Sequence, residues 1–333
     1  MRMVKTLALA LALLMLIGET ATASSSKPLT RQGFMLDTTI SISLYDNKSE
    51  DILDGAFELC EEYEQLFSRT IEGSDVYRIN SSNGLPVVVS DATAELIETA
   101  LSYSELSDGA FDPTIEPLVT LWGITSDNPH VPSSEDIKSA LALVDWTQVS
   151  VDGNTVTLGA GMGIDLGGIA KGYIADKLAE YLSNTGVTSA LINLGGNVLT
   201  IGAKPDGSSF TIGVQKPFGE SGEVLGACRV TNMSVVTSGI YERYFIENDT
   251  LYHHILDTST GYPVDNDIYS VTIISPSSTN CDALSTICFA LGTELGLELI
   301  ESLDNTEAIY CMSDGELVFS SGAADYWIYE DEL

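Results

Sequence analysis

The chain is short of positive charge. Its 333 residues include 14 Lys and Arg against 48 Asp and Glu, which gives a formal net charge of −34 at pH 7. Binding to DNA or RNA depends on clustered cations that neutralise phosphates, so this composition argues against a nucleic-acid partner. The overall field also repels anions. Any phosphate site must therefore be built locally, from backbone amides, one or two basic side chains and a metal ion.

Cysteine is also scarce, and the cysteines are not spaced in pairs. There are five, an odd number with no C-x-x-C spacing, which argues against a disulfide framework and against a zinc site. Cys281 and Cys288 are seven residues apart on a predicted helix, about 10.5 Å along its axis, too far to form a disulfide. We predict that all five thiols are free and buried, at Cys60, Cys228, Cys281, Cys288 and Cys311.

Two common phosphate-binding motifs are missing from the chain. It contains neither G-x-x-x-x-G-K-[ST] nor G-x-G-x-x-G, which excludes a P-loop and a Rossmann fingerprint. What the chain does have is 44% hydrophobic residues, the composition of a globular protein and not of a disordered one.

The N-terminus has the pattern of an export signal. Arg2 and Lys5 precede an apolar run over 6–18, and residues 21–23 form an A-x-A cleavage pattern. The run is shorter than the roughly 20 apolar residues that span a bilayer. We predict a signal peptide over 1–23, a polar tail over 24–33 and an exported, extracytoplasmic protein, periplasmic or on the cell surface. An uncleaved signal anchor is the alternative. No lipobox cysteine is expected, because no cysteine precedes Cys60.

Hydrophobic periodicity predicts a single α+β unit over 34–333. Residues 40–44 alternate as in a half-buried strand, and residues 52–66 carry apolar side chains at helical spacing. A hairpin is expected to turn at 152–154. A helix beginning near Cys281 should stop or kink at Gly292. Hairpins interleaved with helices predict mixed or antiparallel sheets with packed helices, and argue against a doubly wound parallel sheet.

Two segments offer groups that suit a metal and a phosphate. Asp282 and Thr286 would share one face of a helix and present two hard oxygens to Mg²⁺ or Ca²⁺, unless Asp282 is an exposed acid that complements the helix dipole. Residues 165–171 form a glycine-rich turn into a helix, where a ligand can approach the backbone and Lys171 can reach a phosphate. The alternative is a glycine pair that serves only turn geometry.

Two further segments suggest a ligand pocket and a base. In residues 109–114, Pro113 holds Asp112 toward extended geometry beside Phe111, as in a pocket for a heterocycle or in a plain Asx-Pro turn. His254 is one of three histidines and is either packed or catalytic. As a general base it would give a rate that rises through a pKa near that of imidazole, about 6.5 before perturbation by the fold. No Ser-His-Asp triad can be argued from the spacing.

These segments belong to a series of six boxes. Their patterns are G-A-F-D-P-T, D-L-G-G-[IV]-A-K-G-Y-x-x-D, L-G-G-[ND], T-S-G-x-Y-x-R-[YF], H-I-[IL]-D-x-x-T-G-x-P and A-D-A-L-[SA]-T. In the same order, the chain matches them at 109–114, 165–176, 194–197, 237–244, 254–263 and 282–286, with Asn280-Cys281 ahead of the last. In these boxes, over about 34–322, the chain resembles the ApbE family of FAD:protein FMN transferases.

The resemblance implies a set of ligand-binding residues. The implied metal is Mg²⁺, held by the side chains of Asp282 and Thr286 and the backbone carbonyl of Gly168. The implied FAD contacts are Met35, Thr70, Ala110, Phe111, Asp112, Asp165, Lys171, His254 and Ile255. Thr70 stands where many relatives carry an aromatic residue, and Met35-Leu36-Asp37-Thr38 replaces the family's M-G-T.

The resemblance also implies a reaction. FMN moves from FAD to a Thr or Ser hydroxyl of an acceptor protein, often a membrane redox subunit, and AMP is released, with His254 as the candidate general base. With water as the attacking group, the same site would be an FAD pyrophosphatase. A non-catalytic exported flavin-binding protein and a secreted solute-binding or adhesion protein stay open. The chain lacks a D-x-x-[ST]-G-A-T acceptor segment, so it should modify other proteins.

Overall fold

A computed structural model describes residues 27–220 and 222–333, so the predicted signal peptide lies outside the described residues. The α-helices are α1 (Glu50–Phe67), α2 (Asp75–Asn80), α3 (Asp91–Leu106), α4 (Glu116–Trp122), α5 (Ser134–Leu141), α6 (Ala170–Asn184) and α7 (Ser278–Glu301). Short 3₁₀ helices lie at Pro113–Ile115, Trp146–Gln148, Ala323–Asp325 and Glu330–Glu332.

The strands are β1 (Leu29–Met35), β2 (Thr38–Leu44), β3 (Val87–Val88), β4 (Ser150–Asp152), β5 (Thr155–Thr157), β6 (Ala190–Leu194), β7 (Asn197–Ile201), β8 (Phe210–Gln215), β9 (Val224–Val230), β10 (Ser234–Gly239), β11 (Tyr244–Glu247), β12 (Thr250–His253), β13 (Ile268–Ser275), β14 (Glu307–Met312), β15 (Leu317–Phe319) and β16 (Trp327–Tyr329).

An eight-stranded antiparallel sheet forms the centre of the molecule. Its order is β1-β2-β6-β7-β10-β13-β14-β15. Both faces are covered, as the alternation along β6 shows. Ala190, Ile192 and Leu194 point to the main core with helices α1, α3, α6 and α7, whereas Leu191 points to a second core. That second core lies under a small antiparallel sheet of β16, β9 and β8.

Most of the predicted elements are confirmed. The α+β class, the strand at 40–44, the helix at 52–66 and the hairpin turn at 152–154 all stand. Gly292 kinks α7 with a φ of 79° and a ψ of 176°. All five cysteines are free and buried. Helix α7 is apolar and long enough to span a membrane by composition, but it packs against β13 and β10 as a core helix.

The structure also differs from the sequence prediction at three places. Residues 29–33, which the prediction assigns to a polar tail, belong to edge strand β1, where Leu29 pairs with Leu44. Their polar side chains suit an edge strand, and Arg31 forms ion pairs with Glu50 and Asp54 of α1. Helix α7 begins at Ser278, three residues earlier than predicted. Strands β9 to β12, which the sequence analysis does not predict, include the hairpin of β11 and β12.

The β11–β12 hairpin sits on a third, smaller core. Trp122 of α4 is fully buried there, stacks near Tyr252 of β12 and donates from Nε1 to the Gly261 carbonyl at 2.8 Å. Leu118 and Ile137 complete the packing. This core fixes the base of the hairpin, where Tyr244 pairs with His253. Arg243 and His254 therefore stand side by side.

Candidate functional site

A broad cleft separates the N-terminal parts of α6 and α7 from the base of the β11–β12 hairpin. The cavity that contains it also runs along the small sheet of β8 and β9, and the whole has a volume of about 3910 Å³. The structure brings eleven of the predicted site residues to its walls: Thr70, Ala110, Phe111, Asp112, Asp165, Gly168, Lys171, His254, Ile255, Asp282 and Thr286. Met35 is the exception, since its side chain packs on the main core while Phe34 and Leu36 line the cleft.

Asp282 lies in the second turn of α7 and joins that helix to α6. Its side chain is 5% exposed, which rules out the alternative of an exposed acid at a helix end. Oδ2 accepts a hydrogen bond from the Gly172 backbone N–H at 2.8 Å. The close approach needs glycine, because a Cβ on Gly172 would lie 2.8 Å from the Cβ of Asp282 and would overlap the Ser278 carbonyl. One carboxylate oxygen is thus held, and the other is left for the cleft.

The second carboxylate oxygen of Asp282, the Thr286 hydroxyl and the Gly168 carbonyl are the kinds of oxygen that bind a hard cation. A methyl group placed on Gly168 would lie 3.8 Å from Thr286 Oγ1, so the glycine backbone and the threonine hydroxyl are neighbours. Among the described residues, none donates to the Gly168 carbonyl, because the Gly172 N–H that could reach back to it bonds Asp282 instead. A carboxylate, a hydroxyl and a free carbonyl in one place fit Mg²⁺, which prefers oxygen ligands and keeps several waters.

Three of the boxes anchor the start of α7. The Asp176 carboxylate accepts from the Ser278 and Thr279 backbone N–H groups at 2.8 and 2.9 Å, which caps the helix. Asn197 accepts from Ser278 Oγ at 2.6 Å. Ser238 and Ser285 share a hydrogen bond of 2.7 Å between their hydroxyls. These bonds fix the direction in which Asp282 and Thr286 point.

The glycine-rich turn is tied to the first box. The Asp165 N–H donates to the Pro113 carbonyl at 2.8 Å, and Asp165 Oδ1 accepts from the Gly167 N–H at 2.7 Å. Asp165 also pairs with Arg69, at 3.0 Å from Nε to Oδ2. Lys171 makes only a long bond of 3.4 Å from Nζ to the Gly167 carbonyl. Its ammonium group is therefore available to a ligand in the cleft.

Asp112 acts mainly within the protein. Oδ1 accepts from Thr114 N and Thr114 Oγ1 at 2.7 and 2.6 Å, and Oδ2 accepts from the Trp146 N–H at 3.0 Å. The Asx-Pro turn considered from the sequence is thus formed. Burial outweighs these bonds and raises the pKa of the Asp112 carboxyl. Phe111 lies beside it with one ring edge close to Gly168, and it supplies an apolar wall to the cleft.

The two adjacent histidines have different roles. His253 is 5% exposed, its Nε2 bonds the Val264 carbonyl at 3.0 Å and its Nδ1 accepts from the Ile255 N–H at 3.3 Å. Both ring nitrogens are used, so His253 is a structural, neutral residue. Burial lowers its pKa.

His254 has one ring nitrogen free. Its Nδ1 lies 3.2 Å from the Arg243 carbonyl, which also accepts the His254 backbone N–H at 3.1 Å. A carbonyl can only accept, so Nδ1 carries the proton and donates, and Nε2 keeps its lone pair. This tautomer is the one that a general base requires.

The fold shifts the titration of His254 strongly. Removal from water and then the positive charge of Arg243 lower its pKa to about 3. This value lies far below the unperturbed imidazole value of about 6.5. His254 is half-buried by surface area, but the walls of the cleft surround it, and we expect a neutral imidazole at neutral pH.

Asp257, a carboxylate in the same box as His254 and so a second candidate base, is already hydrogen-bonded within the protein. Its Oδ1 accepts from the Ser259 N–H and hydroxyl at 2.7 and 2.6 Å and from the Thr260 N–H at 3.3 Å. The carboxylate closes the loop of the fifth box. Thr258 then bonds the Gly109 carbonyl at 2.7 Å, so this loop is joined to the first box.

Sequence reasoning missed two charged residues of the cleft, Glu242 and Arg243, although both lie inside the fourth box. Loss of water around Glu242, with Asp282 nearby, raises its pKa to about 7, even though part of the side chain contacts solvent. Arg243 could have been found from composition, because so acidic a chain has few cations to place near an anion.

A family model for the ApbE family matches residues 36–310. The chain belongs to the ApbE family. The resemblance inferred from the sequence is confirmed, and so is the expectation that the fold follows it.

Relatives and solved structures of ApbE proteins match nearly the whole chain. An FAD:protein FMN transferase of Klebsiella pneumoniae is 39% identical over 291 residues, covering 86% of this chain and 90% of that protein. One of Treponema pallidum is 36% identical, with coverage of 82% and 80%. The ApbE protein of Thermotoga maritima aligns with a TM-score of 0.83 and 34% identity over 90% of this chain and 99% of its own. Flavin transferase ApbE of Vibrio cholerae gives 0.81 and 26%, also over 90% and 99%.

Within this ApbE chain, the six boxes divide into two kinds. The L-G-G-N box and the end of the D-L-G-G box hold α7 in place through Asn197 and Asp176. The residues that keep unoccupied polar groups in the cleft are Lys171, Arg243, His254, Asp282 and Thr286.

Proposed function

We propose that this chain is a Mg²⁺-dependent FAD:protein FMN transferase, which moves FMN from FAD to a Thr or Ser hydroxyl of an acceptor protein and releases AMP. One observation carries the proposal. In a chain of the ApbE family, three metal-suited oxygens of Gly168, Asp282 and Thr286 share a cleft with a neutral histidine that has a free Nε2. The names of the relatives support the same activity.

The pyrophosphate of FAD would lie at the α6–α7 wall. Lys171 can reach its oxygens, and the glycine-rich turn allows the phosphates to approach the backbone. Mg²⁺ at Gly168, Asp282 and Thr286 would neutralise the charge that develops on the leaving phosphate. Phe111 and Ile255, both nearly buried, would form apolar walls for a ring of the ligand.

His254 would act on the attacking hydroxyl. Nε2 accepts the hydroxyl proton while the oxygen forms a bond to the FMN-side phosphorus, and the bridging P–O bond breaks so that its oxygen leaves with AMP. The product is a phosphoester between FMN and the acceptor. A pKa of about 3 makes His254 a weak base in the free protein. The negative charge of the bound pyrophosphate would raise that pKa toward the range in which a general base is effective.

The acceptor is proposed to be another protein. The cavity that contains the cleft extends beyond the residues assigned to FAD, as far as the small sheet of β8 and β9, which supports access for a polypeptide segment. The chain itself has no acceptor segment of the D-x-x-[ST]-G-A-T type. Together with the export pattern over 1–23, this favours an acceptor outside the cytoplasm, such as the exposed part of a membrane redox subunit.

The experiment uses the protein from residue 24 onward with FAD and Mg²⁺. AMP release is measured with a peptide that carries a D-x-x-T-G-A-T segment and with a matched peptide in which both threonines are alanine. The expected result is AMP release together with covalent flavin on the first peptide alone.

Two other outcomes would decide against the proposal. AMP released equally with both peptides, with free FMN as the second product, would identify an FAD pyrophosphatase. FAD bound without any AMP would identify a flavin-binding protein. Omission of Mg²⁺ in each arm separates the metal requirement from the identity of the acceptor.

A further inference from the structure

The cleft holds few cations that are free to meet an anion. Arg69 is taken up by Asp165 and Glu116, at 3.0 and 3.7 Å. Lys171 and Arg243 form no ion pair with any residue in the described part of the chain. The charges of both reach His254 and Glu242, since each lowers the pKa of those two groups. The two cations therefore converge on one region of the cleft.

Arg243 is placed there by the β11–β12 hairpin and is held by its backbone. It immediately precedes β11, and its carbonyl accepts both the His254 N–H and His254 Nδ1. The guanidinium group makes one long bond of 3.5 Å to the Asp37 carbonyl and is exposed in the cleft. Four of its five donor hydrogens are thus left without a partner among the described residues. The exposed guanidinium can therefore bond an anionic ligand close to the candidate base.

We propose that Arg243 is a pyrophosphate-binding residue that acts opposite Lys171 and selects FAD over flavins without a second phosphate. This inference rests on the proposed function. A guanidinium presents donors in a planar fork that matches two phosphate oxygens, whereas an ammonium acts as a point charge. Arg243 would hold the oxygens on the hairpin side, beside His254, and Lys171 would hold those on the α6 side. The attacking hydroxyl then approaches a phosphorus fixed from both sides.

The test compares Arg243→Gln, Arg243→Lys and the wild type. Dissociation constants for FAD, ADP and riboflavin are measured by calorimetry, with and without Mg²⁺. We expect Arg243→Gln to weaken FAD and ADP binding by about 10- to 100-fold and to leave riboflavin binding unchanged. Arg243→Lys should restore part of the loss, because it keeps the charge and loses the fork. The pKa of His254, followed by NMR, should rise when the guanidinium is removed.

Arg229→Gln is the matched control. Arg229 is also exposed and forms no ion pair with a described residue, but it lies on β9 of the small sheet, across the central sheet from α7 and away from Lys171 and His254. Its replacement should leave all three affinities unchanged. An equal loss of FAD and riboflavin in Arg243→Gln, or no loss of either, would overturn the role of Arg243.

The outcomes also separate this inference from the proposed function. A wild type that binds FAD and ADP but never releases AMP would end the proposed function, and the affinities of the variants would still decide on Arg243. A wild type that releases AMP, with Arg243→Gln binding FAD as tightly, would end the inference alone. A wild type that binds neither FAD nor ADP would overturn both.

Discussion

The two walls of the cleft are built in opposite ways. On the α6–α7 wall, hydrogen bonds to the protein fix the side chains that position α7: Asp176 accepts from its first N–H groups, Asn197 holds Ser278, and one oxygen of Asp282 joins the two helices. Lys171 and Thr286 on this wall keep polar groups for a ligand. On the hairpin wall, Arg243 and His254 are held by their backbones, while the guanidinium and the Nε2 of the imidazole are left free. The α6–α7 wall is held together by its side chains, whereas the hairpin wall offers its side chains to a ligand.

This difference separates positioning from chemistry. A metal site needs fixed ligand directions, which the buried hydrogen bonds around α7 supply. A base and a phosphate-binding cation need atoms that are free to bond a substrate, which the hairpin wall supplies. Substitutions of the hydrogen-bonded residues on the first wall should therefore change metal dependence or stability, whereas those of Lys171, Arg243 and His254 should change turnover or affinity without a change in fold.

The largest expected effect is that of Asp282→Asn. The amide can still accept from the Gly172 N–H, so the fold should stay, but the charge that would hold Mg²⁺ is gone. We expect turnover to fall by about 10³-fold or more, measured as AMP release across a Mg²⁺ titration. Asparagine is used because Asp282 is buried and bonds the Gly172 N–H, so a change to alanine would also cost stability.

Asp176→Ala is the control on the same wall. It removes the acceptor of the Ser278 and Thr279 N–H groups, while the N-cap residue Ser277 stays. The free energy of unfolding should fall by about 1–2 kcal/mol, and the Mg²⁺ dependence of the folded protein should stay. If Asp176→Ala were to abolish Mg²⁺ dependence without a change in melting temperature, the division between positioning and chemistry on this wall would be wrong.

The second effect contrasts the adjacent histidines. His254→Asn should lower turnover by about 10²- to 10⁴-fold with FAD affinity nearly kept. His253→Asn should instead lower the melting temperature, because both ring nitrogens of His253 bond the protein in the native state. Near-normal turnover in His254→Asn, or a loss of FAD binding alone, would demote His254 to a residue that positions flavin. Asp257 is no substitute, because its bonds close a loop.

A third, smaller effect is expected from Lys171→Ala. Among the described residues, the ammonium group of Lys171 bonds only the Gly167 carbonyl, through a long contact, so stability should hold. FAD binding should weaken by roughly 1.5–3 kcal/mol, and riboflavin binding should not change, because riboflavin has no phosphate. Calorimetry with both ligands checks this, and an equal loss for both would show that Lys171 does not face the phosphates.

The sequence predicts the α6–α7 wall better than the hairpin wall. The i,i+4 spacing of Asp282 and Thr286 and the glycines at 167–168 are local patterns, and the structure brings them together. The function of Asp176 as a cap for α7 depends on a contact 102 residues away. Hydrophobic periodicity reports on one helix or strand at a time, so it cannot predict a contact between two distant segments. The sequence shows that Asp176 belongs to the second box, but it does not show what the side chain bonds.

The hairpin wall could not be built from pattern alone. Strands β11 and β12 carry charged and aromatic residues with weak alternation, and their pairing depends on the third core around Trp122. The low pKa of His254 arises from burial and from Arg243, which only the fold places beside it. The sequence alone gives no reason to expect a pKa other than that of an ordinary imidazole, and the shift comes from tertiary structure.

The smallest expected effect is the dependence of stability on pH, which tests the surroundings of His254 on the hairpin wall. In the native state the pKa of His254 is lowered to about 3, whereas the unfolded chain binds the proton near pH 6.5. The unfolded state thus holds more protons between these values, so the stabilising contribution is complete above pH 6.5 and is lost as the pH falls toward 3. His254→Asn should lose less stability than the wild type between pH 7.5 and pH 5, as melting temperatures will show.

The rate profile should separate His254 from its neighbour Glu242. Without ligand, His254 should not titrate near pH 6.5, and NMR of the imidazole checks this directly. Glu242 has a pKa raised to about 7 by loss of water, so an inflection of kcat/KM near that value should belong to the carboxyl group and disappear in Glu242→Gln. If the inflection survives in Glu242→Gln and the His254 imidazole titrates with it, then solvent reaches that ring. The two walls would then differ less in their surroundings than their hydrogen bonds indicate.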